Sequence, residues 1–213
     1  IAGLPNMNLL IPCDLAETKK ATAAMIDQIN GPCYLRFARE PTPIVTNGKT
    51  PYRFGTATII RYTGEQPKFA DAFAHQLSTD AASGKEDIAM LSCGPEVAEA
   101  MRASWILKEE FGISSRVVNL STVKPLDKEA IVRAARECGC VLTVEEHQKG
   151  GLGNLVAAAI LTASHSPVVF DMMGVEDRFG ETGAPWELIK RFGLSAEHIA
   201  EKARGMVEGK KKG

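Results

Sequence analysis

The sequence predicts an α/β protein with three layers, in which a mainly parallel, mixed sheet lies between two layers of helices. Two observations lead to this fold class. Short apolar runs, typical of strands that are buried on both faces, alternate with longer segments of helical periodicity. Glycine, proline or a helix-capping residue stands at the junctions between these segments. Strands that alternate with helices predict right-handed crossovers, which place helices on both faces of the sheet.

The N-terminal segment, residues 1–40, is predicted to hold a strand, a helix and a second strand. The first strand covers Asn8 to Ile11. Asp14 is a suitable N-cap for the helix, and Glu17 completes a capping-box pattern. Gly31-Pro32 then ends the helix. The chain begins without Met and inside an α/β unit, so we expect it to be a fragment of a longer protein.

Two arginines lie near the end of the second strand of this segment. Arg36 and Arg39 belong to the sequence CYLRFARE. A guanidinium group presents a planar fork of donors that fits the oxygens of a phosphate or a carboxylate. The two side chains therefore either bind an anion or pair with nearby acidic residues at the surface, and the sequence leaves both interpretations open.

Residues 41–85 are predicted to be a linker with an insertion. The first part reads as a connector, marked by Pro41, Pro43, Gly48 and Pro51. Phe54 to Tyr62 is rich in β-forming residues, and Phe69 to Leu77 is predicted to be a short helix. His75 is predicted to be a surface residue rather than a metal ligand.

Residues 86–213 are predicted to form the C-terminal domain. Strands are predicted at Ile88–Ser92, Val117–Leu120, Val141–Val144 and Val168–Asp171. Pro95 begins one helix, and Asp127 and Gly139 begin and end the next. Two closing helices cover Pro185–Phe192 and Ala196–Val207, and the last residues, GKKKG, are predicted to be a solvated end.

The stretch from Cys140 to Ile160 combines a strand, a charged loop, a glycine-rich turn and a helix. Glu145, Glu146 and His147 lie at the carboxyl end of the strand, which is the edge where open α/β sheets usually bind ligands. They form the dense titratable cluster of the sequence. Carboxylates beside a histidine could serve proton transfer, or they could end the strand at a subunit contact. We favour the structural or interface role.

The glycine-rich turn also has two interpretations. Gly151-x-Gly153 is close to the start of a dinucleotide-binding fingerprint, and Asp171 follows about 20 residues later, as that fingerprint requires. However, Val156 takes the place of the third small residue, and a long charged loop separates the strand from the glycines. We therefore favour a turn that lets the helix pack closely on the sheet.

Composition and charge disfavour several classes of protein. The formal net charge is −1, so we expect no nucleic-acid partner and no anionic membrane. The five cysteines are an odd number, and Cys138-Gly-Cys140 lacks the spacing of a zinc site, which predicts a reducing compartment and no metal site. There is no signal-peptide pattern or long apolar run, so we expect a cytoplasmic protein. The sequence also lacks a P-loop, H-E-x-x-H and a nucleophile elbow, so no residue is predicted to be catalytic.

Four stretches of the sequence together resemble one enzyme family. They read PNMNLLIPCDLAET…INGPCYLRFARE, NLSTVKPLDKEAI, VLTVEEHQKGGLGNLVAAAI and GVEDRFGETGAPWELIKRFGLSAEHI. In this order they resemble the C-terminal section of transketolases, and above all the C-terminal half-chain of split transketolases. Deoxyxylulose-phosphate synthases and the β-subunits of 2-oxoacid dehydrogenases have the same two domains.

The resemblance implies a fold and an activity. Residues 1–40 would be the end of the pyrimidine-binding domain, and residues 86–213 would be the transketolase C-terminal domain. The complete enzyme would use thiamine diphosphate and Mg²⁺ to transfer a two-carbon ketol unit between phosphorylated sugars. This chain alone is expected to bind neither group and to be inactive. Its expected partners are an N-terminal half, on the same or a separate chain, and a second copy that contacts it through the C-terminal domain.

The resemblance also assigns one binding site. In the family, an arginine at the end of this strand binds the substrate phosphate, often within a Ser-Arg-Gln sequence. Arg39 matches that arginine, whereas Ala38 and Glu40 replace its usual neighbours, and Arg36 could compensate for the missing hydroxyl. The alternative functions are another thiamine-diphosphate enzyme of the superfamily and a non-catalytic dimerisation or nucleotide-binding module of the same fold.

Overall fold

The computed structural model describes residues 1–62, 75–79, 86–163 and 167–212. Strands and helices alternate along most of these residues. In chain order they are β1 Asn8–Leu10, α1 Leu15–Asp27, β2 Cys33–Leu35, β3 Thr58–Tyr62, β4 His75–Ser78, β5 Ile88–Ser92, α2 Glu96–Phe111, β6 Ser115–Asn119, β7 Thr122–Lys124, α3 Lys128–Cys138, β8 Cys140–Gln148, α4 Leu152–Ala163, β9 Val169–Val175, α5 Pro185–Arg191 and α6 Ala196–Lys212.

The main sheet has the strand order β4-β3-β6-β5-β8-β9. Strands β6, β5, β8 and β9 are parallel, whereas β3 is antiparallel to both of its neighbours. Successive residues of a strand point to opposite faces, and Met90 and Leu91 of β5 accordingly belong to different clusters of buried side chains. Helices α2 and α6 cover the face of Met90, and α3 and α4 cover the face of Leu91. The predicted three-layer α/β fold with a mainly parallel, mixed sheet is confirmed.

A second, smaller sheet joins the N-terminal segment to the rest of the molecule. Its order is β2-β1-β7, and β7 comes from the crossover between β6 and α3. Asp14 caps α1, as predicted, because its Oδ1 accepts a hydrogen bond from the Glu17 amide at 2.9 Å. The same carboxylate also accepts hydrogen bonds from the amides of Val45 and Thr46. One buried aspartate therefore holds both the start of α1 and the connector that follows the small sheet.

Part of the predicted linker belongs to the main sheet. Strand β3 lies within the β-rich segment and pairs with β6, and β4 pairs with β3 on the outer edge. The predicted helix from Phe69 to Leu77 is therefore wrong from His75 onward, because backbone pairing with β3 holds these residues extended. Residues 69–74 and the side chain of His75 lie outside the described residues.

The last helix is longer than the sequence analysis predicted. Helix α6 continues to Lys212 instead of ending at Val207. Residues 209–211 are exposed, as predicted for a solvated end. Lysine is a good helix former, and a helix that is already anchored by packing extends at little cost. Lys210 Nζ also donates a hydrogen bond to the carbonyl oxygen of Cys138, which ties this end to α3.

Candidate functional site

A cleft of about 710 Å³ lies at the carboxyl edge of the parallel strands. The residues after β2, the end of β8 and the segment that follows β9 form its walls. The ends of β8 and β9 meet here because the strands are parallel and Gln148 pairs with Val175. A volume of this size is typical of small-molecule sites, and the carboxyl edge is where open α/β sheets usually bind ligands. This cleft is therefore the candidate functional site.

Arg36 lies in the cleft and connects the two parts of the chain. Its Nη2 donates to the carbonyl oxygen of Glu146 at 2.9 Å and to the Glu146 carboxylate at 3.2 Å. Both side chains are about one third exposed. The contact spans 110 positions of the sequence and joins the end of β2 to the end of β8. Arg36 thus uses part of its hydrogen-bonding capacity to hold the wall of the cleft in place.

Arg39 stands almost fully in solvent on the wall of the cleft. Its side chain is 94% exposed. Its Nε and Nη2 both donate to Glu40 Oε1, at 3.3 Å and 3.0 Å. An ion pair this exposed is weak, about 0–1 kcal/mol, so an anionic ligand can displace the glutamate.

The structure separates the three residues of the Glu145-Glu146-His147 cluster. Glu145 is buried and accepts hydrogen bonds from the amides of Leu152 and Gly153, at 2.8 Å and 3.1 Å. Glu146 turns to Arg36, and His147 lines the cleft. Glu145 therefore has a structural role as the cap of α4, whereas a role of Glu146 and His147 in a subunit contact stays a prediction.

The geometry of the glycine-rich turn supports close packing over dinucleotide binding. A Cβ on Gly153 would come within 2.9 Å of Thr143 Oγ1 and would collide with Met172, so α4 packs directly on β8 and β9. A pyrophosphate would need the first amides of α4, and two of these already bind Glu145. Asp171, the candidate ribose ligand, pairs instead with Lys202 and the Met172 amide.

A buried carboxylate at the start of α2 was not identified from the sequence. Glu96 opens α2, is completely buried, and neither of its oxygens has a hydrogen-bond partner among the described residues. Burial raises the pKa of Glu96 well above its usual value, and the nearby carboxylates of Glu99 and Glu146 raise it further. Its position at the start of a helix is typical of an exposed acid, and only the packing of the N-terminus of α2 against the sheet reveals its burial.

Metal-binding residues do not cluster in the part of the chain that the structure describes. No group of three or more His, Cys, Asp and Glu side chains there could hold a metal ion. The five cysteines are free, and burial raises the pKa of Cys138 and Cys140 to about 11 each. These two thiols therefore stay protonated near neutral pH in this structure.

Comparison with known proteins assigns the chain to a family. The family model described as "Transketolase, C-terminal domain" matches residues 79–199, which is more than half of the chain. The chain belongs to the transketolase C-terminal domain family. The resemblance that the four sequence stretches indicated is thereby confirmed.

Two relatives and one solved structure extend the comparison. The chain is 32% identical over 209 residues to the 6-deoxy-6-sulfo-D-fructose transketolase subunit SqwH of Clostridium sp. strain MSTE9, covering 98% of this chain and 57% of that protein. It is 34% identical over 200 residues to the 1-deoxy-D-xylulose-5-phosphate synthase of Thermomicrobium roseum, covering 93% of this chain and 28% of that protein. A structure described as a split gene transketolase, inactive beta4 tetramer, matches with a TM-score of 0.79 and 30% identity, covering 98% of this chain and 60% of that chain.

The chain spans little more than half the length of its SqwH relative. Among the described residues, no helix combines the length and the apolar character needed to cross a membrane.

The C-terminal domain also contributes a third arginine to the cleft, Arg178, which the sequence analysis did not select. Its position in a glycine-containing loop directly after β9, at the carboxyl edge of the sheet, was the signal that could have identified it.

Proposed function

We propose that this chain is the C-terminal subunit or section of a transketolase-type enzyme that transfers a two-carbon ketol unit between phosphorylated sugars. In that enzyme Arg39 binds the sugar phosphate, and the C-terminal domain contacts a second copy and the N-terminal half. The family membership and the similarity to a transketolase subunit support this assignment. We also propose a cytoplasmic location, which the free thiols of the five cysteines support.

The observation that carries the substrate assignment is the state of Arg39. The residue that matches the phosphate-binding arginine of the family stands exposed on the wall of a cleft of small-molecule size. Its guanidinium is held only by a neighbouring, exposed carboxylate among the described residues. A phosphate offers several oxygens to the same fork of donors and can take the place of Glu40.

Thiamine diphosphate and Mg²⁺ belong, in this proposal, to other parts of the complete enzyme. The described residues of this chain do not fit them, since they contain no cluster of metal ligands and the first amides of α4 are bound by Glu145. When bound, the cofactor would act as the electron sink for the ketol transfer. This chain would hold and orient the sugar phosphate.

The first experiment tests activity with and without the N-terminal half. The assay contains thiamine diphosphate, Mg²⁺, xylulose 5-phosphate and ribose 5-phosphate. We expect transfer of the ketol unit in the mixture and none with this chain alone. A mixture that assembles but transfers no ketol unit would exclude the transketolase assignment.

Replacing Arg39 tests the phosphate site in the assembled enzyme. Arg39→Ala is expected to raise the KM for phosphorylated donors about ten- to 150-fold, because a charged hydrogen bond contributes about 1.5–3 kcal/mol. The KM for an unphosphorylated donor should not change. Glu40→Gln should lower the KM for phosphorylated donors, by about fivefold at most, since the exposed ion pair that it removes is worth about 0–1 kcal/mol.

Arg136→Ala is the matched control for this experiment, because Arg136 is an exposed arginine in the last turn of α3, outside the cleft. It should leave both KM values unchanged. If Arg39→Ala raised the KM of both donors equally, Arg39 would not bind the phosphate.

A deoxyxylulose-phosphate synthase is the second candidate function. The chain is as similar to such a synthase as to the transketolase subunit, with 34% and 32% identity. The same assembled sample, supplied with the substrates of that synthase, distinguishes the two. Formation of 1-deoxy-D-xylulose 5-phosphate without ketol transfer would favour the synthase.

A further inference from the structure

Arg178 lines the cleft and forms no ion pair with any acidic side chain that the structure describes. Three carboxylates also line the cleft, and each is paired with a different arginine: Glu40 with Arg39, Glu146 with Arg36, and Glu181 with Arg191. Among the residues that the structure describes, Arg178 has no such ion pair. Its positive charge is therefore available to an anionic ligand.

Three contacts orient Arg178 before any ligand binds. Its guanidinium carbon lies 4.2 Å from the centre of the Phe192 ring, in a cation–π contact. Its Nη2 donates to the carbonyl oxygen of Arg191 at 3.2 Å. Its own carbonyl oxygen accepts a hydrogen bond from Gln148 Nε2 at 2.8 Å. A side chain that is fixed in this way loses little entropy when it binds a ligand.

The remaining donors of Arg178 are free to bind. Its Nε and Nη1 make no hydrogen bond to the described residues, and the residue is exposed. His147 and Thr182 line the same cleft and add polar groups, and Gly180 and Gly183 line it without side chains. Charged donors beside small residues favour a tetrahedral anion over an apolar ligand.

We propose that Arg178 is a second binding residue for the phosphate group of the sugar, acting from the C-terminal domain together with Arg39. This inference rests on the proposed function, which supplies the phosphorylated substrate. It assigns part of substrate binding to the C-terminal domain, beyond the contacts between subunits that the resemblance implies for it. The phosphate would then bridge the two parts of the chain.

The test compares four forms of the assembled enzyme: wild type, Arg178→Ala, Arg39→Ala and the double variant. We expect Arg178→Ala to raise the KM of phosphorylated donors about tenfold or more, because tenfold corresponds to the smallest loss expected when a charged hydrogen bond is removed. The KM of an unphosphorylated donor should stay unchanged. The double variant should fall short of the product of the two single effects, because both side chains bind one group.

Further variants separate binding from a structural role of Arg178 in its loop. Arg178→Lys keeps the charge and should recover part of the lost affinity. Phe192→Leu removes the ring but keeps the arginine, so it should change the KM of phosphorylated donors less than Arg178→Ala does. If Arg178→Ala raised the KM of both donors to the same extent, the residue would only stabilise the loop.

A binding measurement keeps the outcome independent of activity. Xylulose 5-phosphate and xylulose are titrated into this chain and into its Arg178→Ala variant by calorimetry. We expect the phosphorylated sugar to bind the wild-type chain at least tenfold more tightly than the variant. Equal binding to both would overturn the role of Arg178, whether or not the assembled enzyme is active. If Arg39→Ala raised the KM of phosphorylated donors as expected and Arg178→Ala did not change it, this inference alone would be overturned. The proposed function would remain intact.

Discussion

The charge state of Glu96 shows how strongly position alone changes the chemistry of a single residue. An exposed glutamate at the start of a helix is ionised and interacts favourably with the helix dipole. Glu96 is buried, lacks hydrogen-bond partners among the described residues, and lies near the carboxylates of Glu99 and Glu146, so its pKa is raised. It should therefore hold a proton well above the pH at which an exposed glutamate loses one.

The raised pKa of Glu96 predicts a pH dependence of stability. Its stabilising contribution is complete below the usual pKa of about 4.5 and is lost as the pH rises through the higher pKa of the folded state. Glu96→Gln cannot ionise, so it should become more stable relative to the wild type as the pH increases. A tenfold difference in proton affinity between the two states corresponds to about 1.4 kcal/mol.

Urea unfolding of both proteins at about pH 5 and pH 8 measures this effect. Glu201→Gln, at an exposed position of α6, is the control and should follow the wild type at both pH values. Equal pH dependence of the wild type and Glu96→Gln would show that Glu96 is not protonated in the folded chain.

The arginines of the cleft show what sequence reasoning reaches at the residue scale. The planar donors of Arg36 and Arg39 and their position after a strand were sufficient to select both. Their partners were not predictable, because Glu146 lies 110 positions from Arg36 and reaches it only when β2 and β8 end side by side. Arg178 was missed for the same reason: its neighbours come from β8 and from the end of α5.

At the scale of elements, α4 depends on a cap that comes from the preceding strand. Glu145 binds the first two amides of the helix from the end of β8. Glu145→Ala leaves these amides without their charged acceptor, so the free energy of unfolding should fall by about 1.5–3 kcal/mol. Urea unfolding measures the loss, and Glu145→Gln should lose less because it keeps one acceptor oxygen.

Glu201→Ala provides the background for this comparison, since it removes an exposed glutamate from a helix. It should change the free energy of unfolding by about 0.5 kcal/mol or less. If Glu145→Ala were as stable as Glu201→Ala, the hydrogen bonds to α4 would not contribute to stability.

The elements themselves were predicted best where local signals were strong. Asp14, Asp127 and Gly139 marked helix ends, and the structure confirms each of them. Local signals failed at β4, where apolar residues with a helical pattern are held extended by pairing with β3. They failed again at the end of α6, which continues to Lys212 and not only to the predicted Val207. In both cases a neighbour that is distant in sequence decides the conformation.

At the scale of the whole molecule, the N-terminal segment and the C-terminal domain are joined by three kinds of contact. Strand β7 pairs with β1, Asn119 Nδ2 donates a hydrogen bond to Glu17, and Arg36 binds Glu146. The candidate cleft lies along this junction, so a ligand that bridges Arg39 and Arg178 would add to it. The site therefore depends on how the two parts are joined.

Self-association is the prediction that belongs to this scale. Large apolar side chains of the C-terminal domain are exposed, including Leu161, Phe179 and Trp186, and such groups often mark contacts between subunits. We expect the chain to sediment above its monomer mass at high concentration. A monomer at every concentration tested by sedimentation equilibrium would contradict a dimer through the C-terminal domain.

The sequence by itself determined the fold class, most helix ends, the family resemblance and two arginines of the cleft. These follow from hydrophobic periodicity, capping residues and short motifs, all of which act between residues that are near in the chain. Only the tertiary structure decided that Glu145 caps a helix, that Glu96 is buried and that Arg178 faces the same cleft as Arg39. The physical reason is that burial, ion pairing and hydrogen bonding depend on which distant residues the parallel sheet brings to its carboxyl edge.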